Sequence, residues 1–320
     1  MKFLNDLFVD WSSRVWVISE YHIAKKKNNL KYWFIGIATY ELRRLPFLEF
    51  DFLDSTSSSA GRNAELDIGQ PSSIYLKFHG MMTRQLVDQC FFEMMLCGKA
   101  SKIEDRFYAI LPQSKYKDKI NQVTHWKISN MVSVKLKLFE IMDTKDKLTL
   151  LFLAGCQEIS FSTDPVLPTF ATSTIFKSTC RLFSPESPLN FDLGNKSTIT
   201  LHHHTRDSHL YYFLQLTVKK YYVIDVPSDY RDYCGSKFII KACDNLQLNL
   251  DSSEIKIVCL TYFDESTLES YAEWEASNDC KLYLLGNFEK NKWTMLTSYW
   301  KNIELKHSVI INNGKVFNIY

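Results

Sequence analysis

The residues that offer chemistry in this chain are flat aromatic rings with cations close by. Trp293 follows Lys290 and Lys292, and Phe107 follows Lys102 and Arg106. A ring beside ammonium or guanidinium groups suits single-stranded nucleic acid, where a base stacks on the ring and a phosphate meets the cation. One such stack is worth about 1–3 kcal/mol. The competing use of the same ring is core packing, open to any aromatic in a strand. Lys77 and Lys256 lie in candidate strands that end at Phe78 and Phe263, and would either point into the same groove or sit in solvent. Tyr75 and Tyr262 compete with those two rings, because a one-residue slip exchanges the faces of a strand. Lys25, Lys26 and Lys27, and Lys219 with Lys220, are further cations that would hold phosphate or sit in solvent.

Catalytic constellations are not found. The sequence holds no Gly-x-x-x-x-Gly-Lys phosphate loop, no His-Glu-x-x-His and no Gly-x-Ser-x-Gly. Asp225, Asp264 and Glu265 read as turn formers at strand ends. His202 and His204 would share one face of a strand, but nothing nearby in sequence completes a metal site, so an exposed strand is the expectation. The chain reads as a non-enzyme without a cofactor or metal.

The elements that would position the rings are mostly strands. In the second half, Glu254–Thr261 is β-branched and Ser266–Ala276 is helical. Cys280–Phe288 is extended, Glu289–Lys292 a polar turn, and Trp293–Trp300 extended again. Strand, helix, strand, tight turn, strand is the back half of an OB-type barrel, whose helix plugs the barrel between its third and fourth strands. Val218–Ile224 and Lys237–Ala242 are read as the strands before it. In the first half, Arg14–Ile23 and Leu30–Tyr40 read as a hairpin with a basic tip. Asp54–Pro71 reads as a loop, Ser73–His79 as a strand, Thr83–Met95 as a helix and Arg106–Leu111 as a strand.

The same element order thus occurs twice. Phe78 and Phe263 are 185 positions apart, and Phe107 and Trp293 are 186 apart. A repeat at that scale predicts two OB barrels in tandem, a mainly β fold joined by an irregular or accessory β segment. The boundaries are 1–113 for the first barrel, extended by strands to about residue 162, then 114–205 for the connection. The second barrel spans 206–305 and a tail or small hairpin 306–320, with Asn312-Asn313-Gly314 as its turn. In the connection, Val132–Leu138, Leu148–Leu153 and Ile159–Phe161 read as strands, and Thr163–Pro188 reads as a linker.

Bulk properties fit a folded chain. It has 320 residues, enough for about two domains, with 46% hydrophobic and 14% aromatic residues. A net charge of +2 supplies no global basic field. The eight cysteines contain no Cys-x-x-Cys pair, which argues against a zinc finger and for free buried thiols in a reducing compartment. No signal peptide or membrane span is expected.

Cys280-Lys-Leu-Tyr-Leu-Leu-Gly-Asn-Phe-Glu-Lys-Asn-Lys-Trp293-Thr resembles the strand–turn–strand of OB domains in the large subunit of replication protein A. Glu254–Ile257 with Phe263-Asp-Glu265, and Lys99–Phe107, resemble the neighbouring pieces. The tandem arrangement is also similar to that of meiosis-specific OB-domain proteins. The resemblance implies bases stacked on Phe78 with Phe107 in one barrel and on Phe263 with Trp293 in the other, with Lys77, Lys102, Arg106, Lys256, Lys290 and Lys292 beside them. It implies a nuclear single-stranded DNA-binding protein of repair, meiotic recombination or telomere maintenance, with protein partners and no membrane. The alternative is an OB-fold scaffold subunit that binds little nucleic acid itself. Three features depart from the family: no zinc-bearing third barrel, a far longer connection, and a loop at Ser228–Gly235 without basic or tryptophan character.

Overall fold

The computed structural model describes residues 10–27, 31–33, 49–51, 90–155, 166–175, 190–206, 209–225, 236–249, 254–262, 281–296 and 309–320. These fall into two compact units, 1–123 and 124–320. Among them no helix is long and apolar enough to cross a membrane.

The described part of the first unit is largely helical. Helix α1 (Val15–Lys26) forms where a strand was expected. Val15, Ile18 and Ser19 are buried, three and four residues apart, while Trp16 and Glu20 face solvent. That spacing belongs to a helix and cannot be met by a strand. Lys26 therefore ends a helix rather than tipping a hairpin. Strand β1 (Lys31–Trp33) pairs instead with β2 (Glu49–Asp51), Tyr32 opposite Phe50. A π-helical turn, Glu93–Cys97, leads to Gly98. A Cβ on Gly98 would lie 2.7 Å from the Met94 carbonyl oxygen and 2.8 Å from a Val15 methyl, so only glycine lets α1 approach so closely. Helix α2 (Asp105–Ile110) replaces the expected strand at 106–111 and packs against α1. The strand at 73–79 and the loop at 54–71 lie outside the described residues.

The second unit is one mixed eight-stranded sheet with helices on it. Helix α3 (Met131–Ile141) starts at Asn130, whose Oδ1 accepts from the Ser133 N–H at 2.9 Å. The Ser133 hydroxyl in turn accepts from the Asn130 N–H, which completes a reciprocal cap. Helix α4 (Thr144–Gly155) is buried from Leu150 to its end. Both helices replace expected strands. Helix α5 (Thr169–Thr172) lies inside the expected linker, yet Phe170 and Ala171 are buried. Phe170 meets Phe139 of α3 edge-on at 5.3 Å.

Strands β3 (Ile199–Arg206), β4 (His209–Val218) and β5 (Tyr221–Asp225) follow, then helix α6 (Ser236–Leu246). After it come β6 (Ile255–Thr261), β7 (Lys281–Asn287), β8 (Lys292–Met295), β9 (Val309–Ile311) and β10 (Lys315–Ile319). The order across the sheet is β3-β4-β10-β8-β7-β6-β5-β9. Neighbours are antiparallel except β10 and β8. Among the described residues β3 and β9 each pair on one edge only, and two five-stranded barrels are not displayed.

Both faces of the central strands are covered, which explains their near-continuous apolar runs. On one face Ile239, Ala242, Cys243 and Leu246 of α6 pack on Ile255, Ile257, Cys259, Tyr283 and Leu285. This helix stands where 237–242 was expected to be a strand. On the other face Phe152 of α4 meets Tyr262 edge-on at 5.1 Å. The space left by Gly155 takes a Leu282 methyl. The strands β6, β7 and β8 agree with the sequence expectation, while the helix expected at 266–276 and the end of the last strand, 297–300, lie outside the described residues. The hairpin or tail expected at 306–320 is instead a strand pair shared with other strands. Strand β9 pairs with β5 and β10 with β4 and β8, so 309–319 runs antiparallel along the β4–β5 run. Gly314, at φ +65°, bridges the two stretches with its N–H donating to the Lys219 carbonyl.

Candidate nucleic-acid interface

The turn between β7 and β8 is built by two asparagines. Asn287 Oδ1 accepts from the Lys290 N–H at 2.8 Å, and its Nδ2 donates to Glu254 Oε2 at 3.1 Å. Asn291 takes the left-handed conformation at φ 46°, where asparagine is favoured, and its Oδ1 accepts from the Trp293 indole N–H at 3.0 Å. Register then sets Trp293 opposite Gly286. The indole lies over that glycine, where a Cβ would come within 2.7 Å of ring atoms. Phe288 and Phe317 meet the indole edge-on at 4.9 and 5.1 Å. Trp293 is 0% exposed.

A stacking platform must present a free ring face, and Trp293 has none. Its neighbouring lysines are also engaged elsewhere. Lys292 Nζ donates to the Leu246 carbonyl at 3.1 Å and Lys290 Nζ to the Gln247 carbonyl at 3.4 Å. Both carbonyls close α6, so the two ammonium groups cap a helix C-terminus and complement its dipole. Lys256 is half-buried, with Gly286 and Asp225 as its register partners.

The first-copy residues are arranged no differently. Phe107 is 0% exposed in α2. The Arg106 guanidinium is buried and donates to the carbonyls of Met95, at 3.1 Å, and Gly98. Burial lowers its pKa. It ties the π-helical turn to α2 and does not reach solvent. Lys102 is exposed. Lys77, Phe78 and Phe263 lie outside the described residues. The expected rings and cations are therefore not gathered into one groove among the residues described.

Exposed aromatics occur at other positions. In the first unit Trp11 and Trp16 are 43% and 47% exposed. Asp10 ties Arg14 and Lys99 together at 3.0 and 2.6 Å, and hydrogen bonds from Lys99 and then Arg14 hold its carboxyl below the usual carboxylate range. The Trp16 indole N–H reaches Asp105 Oδ2 at 3.4 Å, three residues from Lys102. The signal was the helical spacing of Val15, Ile18 and Ser19, which turns Trp16 outward.

In the second unit a ladder of rings crosses β3, β4 and β10. His202 stacks on Phe213 at 5.3 Å, Phe213 on Tyr320 at 5.2 Å, and His204 on Tyr211 at 5.5 Å. His202, His203 and His204 are exposed, as the sequence implied. Among the described residues no group of three or more His, Cys, Asp or Glu is placed to hold a metal ion. The described cysteines, 90, 97, 243 and 259, are free thiols, and burial pushes Cys243 up to about 11, with Asp244 adding to the shift. In comparisons with known proteins, no family model, no curated protein and no solved structure matches this chain.

Proposed function

We propose that the chain is a non-catalytic protein-interaction subunit of a nuclear DNA-processing complex, with little nucleic-acid binding of its own. The observation that carries this reading is the sealed environment of Trp293, packed over Gly286 and between Phe288 and Phe317. A ring held that way cannot accept a base, and its lysines already cap α6. The link to DNA processing rests on the resemblance of 280–294 to OB domains of the replication protein A large subunit. The barrel reading is retained for the meander of β5 to β8 alone; α1 and α2 speak against it in the first copy.

Fluorescence anisotropy with labelled oligo-dT at two salt concentrations tests the proposal. The expected result is no salt-dependent binding. Binding that weakens with salt and is lost in Trp293→Ala while the fold persists would refute it. A second reading has its own support: the exposed indoles Trp11 and Trp16, on the segment where Asp10 holds the exposed cations Arg14 and Lys99, offer the ring-and-cation chemistry of a single-strand binder. Under that reading the oligonucleotide binds, and Trp11→Ala with Trp16→Ala weakens it while Trp293 is irrelevant.

A further inference from the structure

Strand β3 ends the sheet and runs for eight residues, paired with β4 along its whole length. Among the described residues nothing pairs with its other edge. Backbone N–H and C=O groups along such an edge form a template for another strand. Ile199 is buried, but His202, His203, His204 and Thr205 are all exposed. This half of β3 therefore overhangs the core, accessible on both faces. Thr200, His202 and His204 alternate onto one face, level with Gln215, Phe213 and Tyr211. The two imidazoles end the ring ladder: each stacks on its β4 neighbour, and its other side lies at the free edge.

We propose that the β3 edge docks the β3 of a second copy of this chain, antiparallel and centred on His203. The occupant follows from the sequence of the strand. In that register His202 lies opposite the second copy's His204, and Leu201 opposite its Thr205. A two-fold axis through His203 makes both halves of the contact equivalent, as a closed dimer requires. The ladder then runs unbroken from Tyr320 through Phe213 and His202 into the second copy's His204 and Tyr211. An unrelated peptide would not be bound to continue it.

Sedimentation equilibrium on the full chain tests this at neutral pH. The mass should rise with concentration from 37.5 kDa toward twice that value. His202→Lys combined with His204→Lys sets like charges opposite one another at two symmetric places, and should raise the dimer dissociation constant by about tenfold or more with an unchanged circular dichroism spectrum. His203→Cys should cross-link to its own copy through a short bis-maleimide well above the wild-type level, and Thr205→Cys should not. A monomer at every concentration would overturn the proposal. So would a double-lysine variant that dimerises like wild type, or, should that variant misfold, a His203→Cys chain that cross-links no more than wild type.

Discussion

Replacing Trp293 by alanine separates a structural ring from a binding ring. The indole is fully buried, meets Phe288 and Phe317 edge-on and donates a hydrogen bond to Asn291. Truncating a buried tryptophan to alanine costs about 3–5 kcal/mol through lost transfer energy and the cavity left behind. The cavity here is held open by two strands, β7 beneath and β10 alongside, so collapse is poor and about 4 kcal/mol is the working figure. With a urea slope of about 2 kcal/mol per molar, the unfolding midpoint of the second unit should fall by about 2 M. Oligonucleotide affinity, in contrast, should not change while the protein remains folded. A stability loss below about 1 kcal/mol, together with a binding loss of the 1–3 kcal/mol that one stacked base supplies, would refute the reasoning.

Gly286→Ala should be destabilising by about 1–3 kcal/mol, read by the same urea titration, because the new Cβ meets the indole and the Lys292 backbone, neither of which is a flexible side-chain tip. Asn130→Ala removes the cap of α3 and should cost about 1 kcal/mol; Asn130→Ser should recover most of it. Cys243 rises from 9.0 to about 11 on folding, so the unfolded thiol loses its proton first as pH increases. Its contribution to stability is intact below pH 9 and disappears as pH climbs through 11, and Cys243→Ala should flatten that part of the stability–pH profile.

The run β6 to β8 was legible because its strands are covered on both faces and joined by a turn with its own chemistry at Asn287 and Asn291. The helices were not. Val132, Val134, Leu136 and Leu138 alternate with lysines and polar residues as a strand would, and only Asn130 with Ser133 announced a helix start. Leu148–Leu153 is apolar but for Thr149, so periodicity cannot decide between strand and buried helix. For 237–242 the informative pattern lay slightly further on, in Ile239, Ala242, Cys243 and Leu246, whose spacing is helical. Trp293 had suitable neighbours for stacking, but Phe317 closes over it from a strand whose position beside β8 no local pattern records. In the same way, Lys290 and Lys292 looked like phosphate ligands until α6 ended against them.

Strand β10 sits between β4 and β8, with nineteen or more residues separating it from either partner in sequence. Lys315–Ile319 bonds to β4 on one side and to β8 on the other, while β4 runs on into β5 with only Lys219 and Lys220 between them. Until β10 is in place, β4 and β8 each expose an unmatched margin. A stop codon just before Lys315 would leave β4 and β8 without their shared partner, so a short deletion there should be more damaging than its length suggests.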